Sequence, residues 1–177
     1  MTMRHTLVLG GARSGKTAFA EQLVLRTGAK PVYLATAQAL DTEMQDRVSS
    51  HQASRAGQFE TIEEPLALSH AILRAGQNHD VILVDCLTLW LTNLLVANED
   101  VAAAVSELCA TLMEFRSAKV VLVSNEVGLG IVPDNAMART FRDLAGSAHQ
   151  RLAQICDDVY FVAAGLPLTM KGEAPGI

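Results

Sequence analysis

Short apolar runs recur along the chain, and segments with helical periodicity separate them. Each run is four to six residues long, is rich in Val, Leu and Ile, and is bounded by turn residues or charges. Such runs are typical of strands that are buried on both faces of a parallel sheet. They cover residues 6–9, 32–36, 80–85, 119–124 and 158–163, and a weak alternation over 58–63 predicts a short sixth strand.

The segments between these runs predict helices over residues 18–25, 42–54, 66–75, 99–116 and 134–155, and residues 165–177 read as a tail. Strands and helices alternate, and no two-residue hairpin signal is seen. This order favours a mostly parallel sheet with right-handed crossover helices. We therefore expect a single α/β domain over residues 1–177.

A glycine-rich motif lies between the first predicted strand and the first predicted helix. Its residues are Gly10, Gly11, Ala12, Arg13, Ser14, Gly15, Lys16 and Thr17, which fit G-x-x-x-x-G-K-[ST] at every fixed position. In this context the backbone N–H groups converge on phosphate oxygens, and the helix directs the positive end of its dipole at them. Lys16 would reach the β- and γ-phosphates, while the Thr17 hydroxyl would bind Mg²⁺. The alternative is a glycine turn before a helix that happens to contain Lys-Thr.

Asp85 ends the apolar run 80–85, as in a Walker B strand. The carboxylate in such a strand holds the Mg²⁺ shell. Apolar runs that end in Asp are common, so the pattern gains weight here because a phosphate loop precedes it.

His51 lies on one stripe of the predicted helix 42–54. A projection at about 100° per residue places it with Met44, Arg47, Val48 and Arg55. The simplest interpretation is a surface or partly packed histidine. The functional one is a nucleophile that the neighbouring arginines keep neutral by depressing its pKa.

Composition and charge narrow the class of protein. The chain has 177 residues, a net charge of −5 and an isoelectric point near 5.5, which argue for one soluble domain without a nucleic-acid surface. Cys86, Cys109 and Cys156 are far apart, which predicts reduced thiols and no zinc site. No signal peptide or membrane span is apparent, so we expect a cytoplasmic protein. The apolar stretch 86–95 contains the only Trp and predicts core, a subunit interface or a substrate lid.

The motifs together resemble the bifunctional adenosylcobinamide kinase / adenosylcobinamide-phosphate guanylyltransferase family of cobalamin biosynthesis. The resemblance covers about residues 6–171 and rests on the phosphate motif, residues 33–37, 41–47 with His51, and 85–95. Its most specific part is residues 125–133, followed by Asn135, Arg139, Phe141, Arg142, Asp143 and Gly146. A generic nucleotide-binding protein has no reason to carry that last block.

The resemblance implies two reactions and a set of residues for them. ATP or GTP phosphorylates adenosylcobinamide; GTP then donates GMP to His51, and adenosylcobinamide phosphate takes it to give adenosylcobinamide-GDP. Nucleotide contacts are implied at residues 10–17, Ala35, Thr36, Ala37, Gln52, Ala53, Ser54, Arg55, Glu63 and Asp85, with Mg²⁺ held by Thr17 and Asp85. Ser50 stands where some relatives have a second histidine, so His51 is the unambiguous nucleophile. The family likeness also implies a RecA-like sheet and a homo-oligomer, usually a trimer.

Two other functions are compatible with parts of this pattern. A single-step P-loop small-molecule kinase would need Lys16, Thr17 and Asp85 but not His51. A GTP-binding regulatory module would need the guanine-reading motif N-K-x-D, and no Asn of the chain is followed by Lys.

Overall fold

The strands form one mixed sheet in the computed structural model, which describes residues 4–27, 29, 31–38 and 57–176. The strands are β1 (Thr6–Gly10), β2 (Pro31–Ala35), β3 (Glu60–Glu63), β4 (Val81–Asp85), β5 (Lys119–Asn125), β6 (Asp158–Ala163) and β7 (Leu166–Lys171). Their order in the sheet is β3-β2-β4-β5-β1-β6-β7, and only the β6–β7 pair is antiparallel. The predicted mostly parallel sheet is confirmed.

Five helices connect the strands in the described ranges. They are α1 (Lys16–Leu25), α2 (Leu68–Ala75), α3 (Leu87–Val96), α4 (Val101–Glu114) and α5 (Ala136–Ile155). Asp100 caps α4 by accepting a hydrogen bond from Ala103 N, and Asn135 caps α5 in the same way. The helix predicted from residue 134 thus begins two residues later. The predicted helix 42–54 lies outside the described residues.

The sheet separates two apolar layers because side chains alternate along each strand. Leu7 and Leu9 of β1 pack into the larger layer, with α2, α3, α4 and α5. Val8 faces the other way, toward Phe19 and Val24 of α1. The strands therefore read as continuous apolar runs, as expected for a sheet covered on both faces.

The chain from residue 165 onward is not a tail, and this expectation was wrong. β6 and β7 form a hairpin whose two-residue turn is Ala164-Gly165, with φ of 51° and 77°. Both residues thus have the positive φ that a type I′ turn requires. Ala-Gly is a weaker signal for such a turn than Asn-Gly, and the mostly exposed β7 contains Pro167, so the pattern gave little indication of a strand.

Trp90 belongs to the core and is not part of a lid. Its side chain is 2% exposed, and its indole Nε1–H donates to the Leu66 carbonyl at 2.8 Å. The three cysteines are buried and unpaired, as predicted. None of the helices in the described part of the chain is long and apolar enough to cross a membrane.

Candidate active site

The phosphate loop joins β1 to α1 at the carboxyl edge of the sheet. Arg13 and Gly15 adopt left-handed backbone, with φ of 55° and 91°. The Lys16 ammonium is buried and donates to the Gly11 carbonyl at 3.0 Å, so the side chain folds back across the loop. A lysine held in this way keeps its charge close to the loop where a phosphate would bind.

The first turn of α1 has no side-chain cap. Gly15 occupies the N-cap position and offers no side-chain oxygen to the first backbone N–H groups. Side chains satisfy the same groups in α4 and α5, whereas α2 and α3, like α1, have no side-chain cap. An uncapped helix start beside a buried lysine is a strong site for an anion.

The β6–β7 turn packs against the phosphate loop. Gly165 N donates to the Ser14 carbonyl at 2.7 Å. A Cβ atom on Gly15 would approach Gly165 Cα to 3.0 Å, and one on Gly10 would meet the Val162 carbonyl oxygen at 2.5 Å. Both glycines are thus needed for close approach of backbone segments.

Asp85 lies beside the loop and accepts two hydroxyl hydrogen bonds. Its Oδ2 accepts from Thr17 Oγ1 at 3.0 Å and from Tyr33 OH at 2.7 Å. The predicted proximity of Thr17 and Asp85 is therefore present in the structure. Sequence reasoning gave Tyr33 no role, although its place on β2, next to β4, brings it to the same carboxylate.

The strand register aligns three predicted residues at the carboxyl edge. Ala35 pairs with Glu63 on one side and with Asp85 on the other. The Thr36 side chain is fully buried, and its hydroxyl donates to the Cys86 carbonyl and accepts from Cys86 N. The Thr36 hydroxyl thus ties β2 to β4. The predicted nucleotide contacts at Ala35, Thr36, Ala37 and Glu63 stay predictions.

Five predicted site residues follow β2 in the sequence. His51, Gln52, Ala53, Ser54 and Arg55 lie outside the described residues. After β2 the structure describes the chain up to residue 38.

A further carboxylate at this edge, that of Glu126, was missed by sequence reasoning. Glu126 directly follows β5, and its backbone N donates to the carbonyl of Gly10 at 2.9 Å. Its side chain lies 3.8 Å from the buried imidazole of His149. The pair Asn125-Glu126 belongs to the specific block 125–133, but only the fold shows that it adjoins the phosphate loop.

These features define the class of the protein as a P-loop nucleotide-binding α/β protein. The fold agrees, since the chain is similar to the crystal structure of the RadB recombinase with a TM-score of 0.50 and 17% identity, over 90% of this chain and 74% of that one. The predicted RecA-like fold class is confirmed.

Residues 6–170 match the model of the family "Cobinamide kinase / cobinamide phosphate guanyltransferase". The chain is 45% identical to the bifunctional adenosylcobalamin biosynthesis protein CobP of Pseudomonas aeruginosa, over 94% of this chain and 97% of the relative. It is 42% identical to the corresponding CobU protein of Salmonella typhimurium, over 93% and 98%. The chain belongs to the cobinamide kinase / cobinamide phosphate guanyltransferase family. It is thus a bifunctional kinase and guanylyltransferase of adenosylcobalamin biosynthesis, and neither a single-step kinase nor a regulatory module.

Proposed function

We propose that one phosphate site, in a single domain over residues 1–177, serves both reactions. In the first, ATP or GTP phosphorylates the aminopropanol hydroxyl of adenosylcobinamide. In the second, GTP supplies GMP, which passes through His51 to adenosylcobinamide phosphate. The observation that carries this proposal is the convergence of Lys16, Thr17 and Asp85 at an uncapped helix start.

The loop residues supply charge and orientation in both steps. Lys16 and the first backbone N–H groups of α1 bind the triphosphate oxygens. The Thr17 hydroxyl and the Asp85 carboxylate, 3.0 Å apart, are hard oxygen donors that suit Mg²⁺. Bound Mg²⁺ would neutralise charge that develops on the phosphates.

The second step needs a nucleophile, and we assign it to His51. An imidazole nitrogen attacks the α-phosphorus of GTP, the N–P bond forms, and pyrophosphate leaves with the electron pair of the broken P–O bond. A phosphate oxygen of the cobinamide phosphate then attacks the same phosphorus and releases the imidazole. Ala35, Thr36, Ala37, Gln52, Ala53, Ser54, Arg55 and Glu63 are the proposed GTP contacts.

We also propose a cytoplasmic homo-oligomer, a trimer by family likeness. Apolar side chains remain exposed on the single chain, among them Leu129 and Ile131 of the loop after β5 and Leu166, Leu168 and Met170 of β7. Such surface suits subunit contacts. Sedimentation of the purified protein tests this, and a monomer at micromolar concentration would contradict it.

The His51→Ala variant tests the two-step mechanism. We expect it to keep kinase activity, which needs positioning and charge neutralisation, and to lose guanylyl transfer, which needs the covalent step. The measurement is radiolabel from α-labelled GTP retained on denatured protein, with cobinamide phosphorylation assayed in parallel. The phosphoramidate adduct of the parent should be labile in acid and stable in alkali. Label retained by the variant would remove His51 from the mechanism.

A further inference from the structure

Glu126 follows the strand that lies between the phosphate loop and Asp85. β5 lies between β1, which leads into the phosphate loop, and β4, which ends in Asp85. Asn125, the last residue of β5, pairs with Gly10, and Glu126 N donates to the Gly10 carbonyl at 2.9 Å. The Glu126 side chain is 23% exposed, so its carboxylate is largely held by the protein and still has access to solvent.

A chain of buried hydrogen bonds runs from Asn125 to His149 and stops 3.8 Å short of this carboxylate. Asn125 N donates to Thr88 Oγ1 at 2.7 Å, and Thr88 Oγ1 lies 3.2 Å from Ser124 Oγ. Ser124 Oγ lies 2.7 Å from His149 Nε2, and His149 Nδ1 lies 3.8 Å from Glu126 Oε2. An ionised carboxylate only accepts, so the consistent arrangement puts the imidazole proton on Nδ1. His149 Nε2 then accepts from Ser124, and Ser124 accepts from Thr88.

This arrangement does not belong to a nucleophilic triad, although it contains Ser, His and a carboxylate. The Ser124 side chain is fully buried between two hydrogen-bond partners, so no substrate reaches its oxygen. Glu126, whose backbone N donates to the Gly10 carbonyl of the phosphate loop, is the member of this group with access to solvent. Any chemistry of the group therefore takes place at its carboxylate.

The imidazole of His149 lies where a small movement would let it donate a hydrogen bond to Glu126. It is buried, and its Nδ1 has no hydrogen-bond partner within the described ranges. Burial lowers the pKa of His149, and the nearby charge of Glu126 only partly opposes this. The neutral ring has a single proton, and a short movement of the Glu126 side chain would bring its carboxylate to that proton. Gly128 N donates to the other carboxylate oxygen and so restrains the side chain.

We propose that Glu126 is the general base of the kinase reaction and that His149 is its positioning residue. The inference rests on the kinase half of the proposed function. Glu126 takes the proton of the substrate hydroxyl as that oxygen bonds to the γ-phosphorus. The bond between the γ-phosphorus and the bridging oxygen breaks, and its electrons leave with the nucleoside diphosphate. Guanylylation of His51 requires no such base, because a neutral imidazole attacks directly.

The Glu126→Gln variant, which keeps size and hydrogen bonding, tests the proposal. We expect its kinase kcat to fall at least about 100-fold. The KM for the nucleoside triphosphate and the covalent GMP labelling should stay within about twofold, since neither uses the base. Glu126→Asp, which keeps a carboxylate, should fall between the parent and Glu126→Gln. The matched control is Glu107→Gln, on the exposed face of α4, with parent activity in both assays.

Two results would overturn the base assignment. One is a kinase kcat in Glu126→Gln close to that of the parent, and the other is equal loss of kinase activity and GMP labelling, which would indicate a structural role. A parent protein without cobinamide phosphorylation would instead refute the proposed function itself, and the inference with it.

The positioning role of His149 is tested by a pair of variants. The amide nitrogen of Asn can replace Nδ1 toward Glu126, whereas the longer Gln can replace Nε2 toward Ser124. We expect His149→Asn to have the higher kinase kcat of the two, with the same KM for nucleotide and similar GMP labelling. A purely structural histidine would lower both activities together. The opposite order of the two kcat values, or parallel loss of both activities, would remove His149 from the mechanism.

Discussion

At the scale of single residues, two hydrogen bonds orient the Asp85 carboxylate, which is a proposed Mg²⁺ ligand. Hydroxyl groups of Thr17 and Tyr33 donate to the same carboxylate oxygen. Thr17 would exchange this bond for Mg²⁺, whereas Tyr33 lies on a neighbouring strand and keeps the carboxylate oriented. A carboxylate that Tyr33 already orients needs less reorganisation when the ion binds.

Tyr33→Phe should therefore raise the Mg²⁺ concentration required for half-maximal kinase activity. Loss of one hydrogen bond to a charged group is worth about 1 kcal/mol at a partly exposed site, or roughly fivefold in metal affinity. The measurement is a Mg²⁺ titration of the kinase rate at fixed nucleotide. Tyr160→Phe is the matched control, because it also loses one tyrosine hydrogen bond, to the Glu173 carbonyl, but away from Asp85. An equal shift in both variants would contradict the role of Tyr33.

The role of a site residue could be predicted from the sequence when the residue belongs to a local motif. Thr17 and Asp85 were predicted to meet because a phosphate loop and a Walker B strand have fixed relations in the fold. Tyr33 and Glu126 were missed, since their roles come from strands that lie side by side but are distant in sequence. Most contacts of residues 10–17 follow from the local motif itself. Glu126, in contrast, comes close to the phosphate loop only because β5 pairs with β1.

At the scale of elements, the end of β1 is packed so closely that a single methyl group cannot be added. A Cβ atom on Gly10 would lie 2.5 Å from both Ser14 Oγ and the Val162 carbonyl oxygen. The serine side chain can move, but the backbone of β6 cannot. Gly11, one residue along, has open space at the same atom among the described residues.

Gly10→Ala and Gly11→Ala form a matched pair. We expect Gly10→Ala to lower the free energy of unfolding by about 1–3 kcal/mol, as for overpacking of a core, and to weaken nucleotide binding because the loop must shift. Gly11→Ala should change stability by less than about 0.5 kcal/mol. Urea unfolding and nucleotide titration measure both effects. Equal stability of the two variants would contradict the close packing at Gly10.

Elements were predicted best where their pattern was strongest. The apolar runs that became β1, β4, β5 and β6 stood out because burial on both faces leaves few polar positions. β7 was missed for the opposite reason, since it lies at the edge of the sheet and most of its side chains are exposed. Helix ends differed from the prediction by a few residues, as when Asn135 rather than an earlier residue capped α5.

At the scale of the whole molecule, the buried side chain of His5 joins two distant parts of the chain. His5 precedes β1; its Nδ1 accepts from Val120 N at 3.2 Å, and its Nε2–H donates to the Phe115 carbonyl at 3.3 Å. Because Nδ1 accepts, the ring must be neutral. Burial lowers the pKa of His5, and the Phe115 carbonyl only partly opposes this.

The protein should therefore lose stability as the solution is made mildly acidic. Below the ordinary histidine pKa of about 6.5 the unfolded chain binds a proton that folded His5 does not, so the free energy of unfolding decreases as pH falls toward the folded-state pKa. Urea unfolding at about pH 7.5 and about pH 5.5 measures the decrease. His5→Gln should be less stable at the higher pH but should show a smaller decrease. An unchanged decrease would exclude a contribution from His5.

The turn between β6 and β7 has a consequence for the newly made chain. The phosphate loop is synthesised early, yet the backbone that supports Ser14 and Gly15 comes from Gly165, about 150 residues later. At about 5–20 residues per second, the ribosome makes the motif roughly 8–30 s before its support exists. The nucleotide-binding motif, which is the first recognisable feature of the sequence, is thus among the last parts of the molecule to become competent.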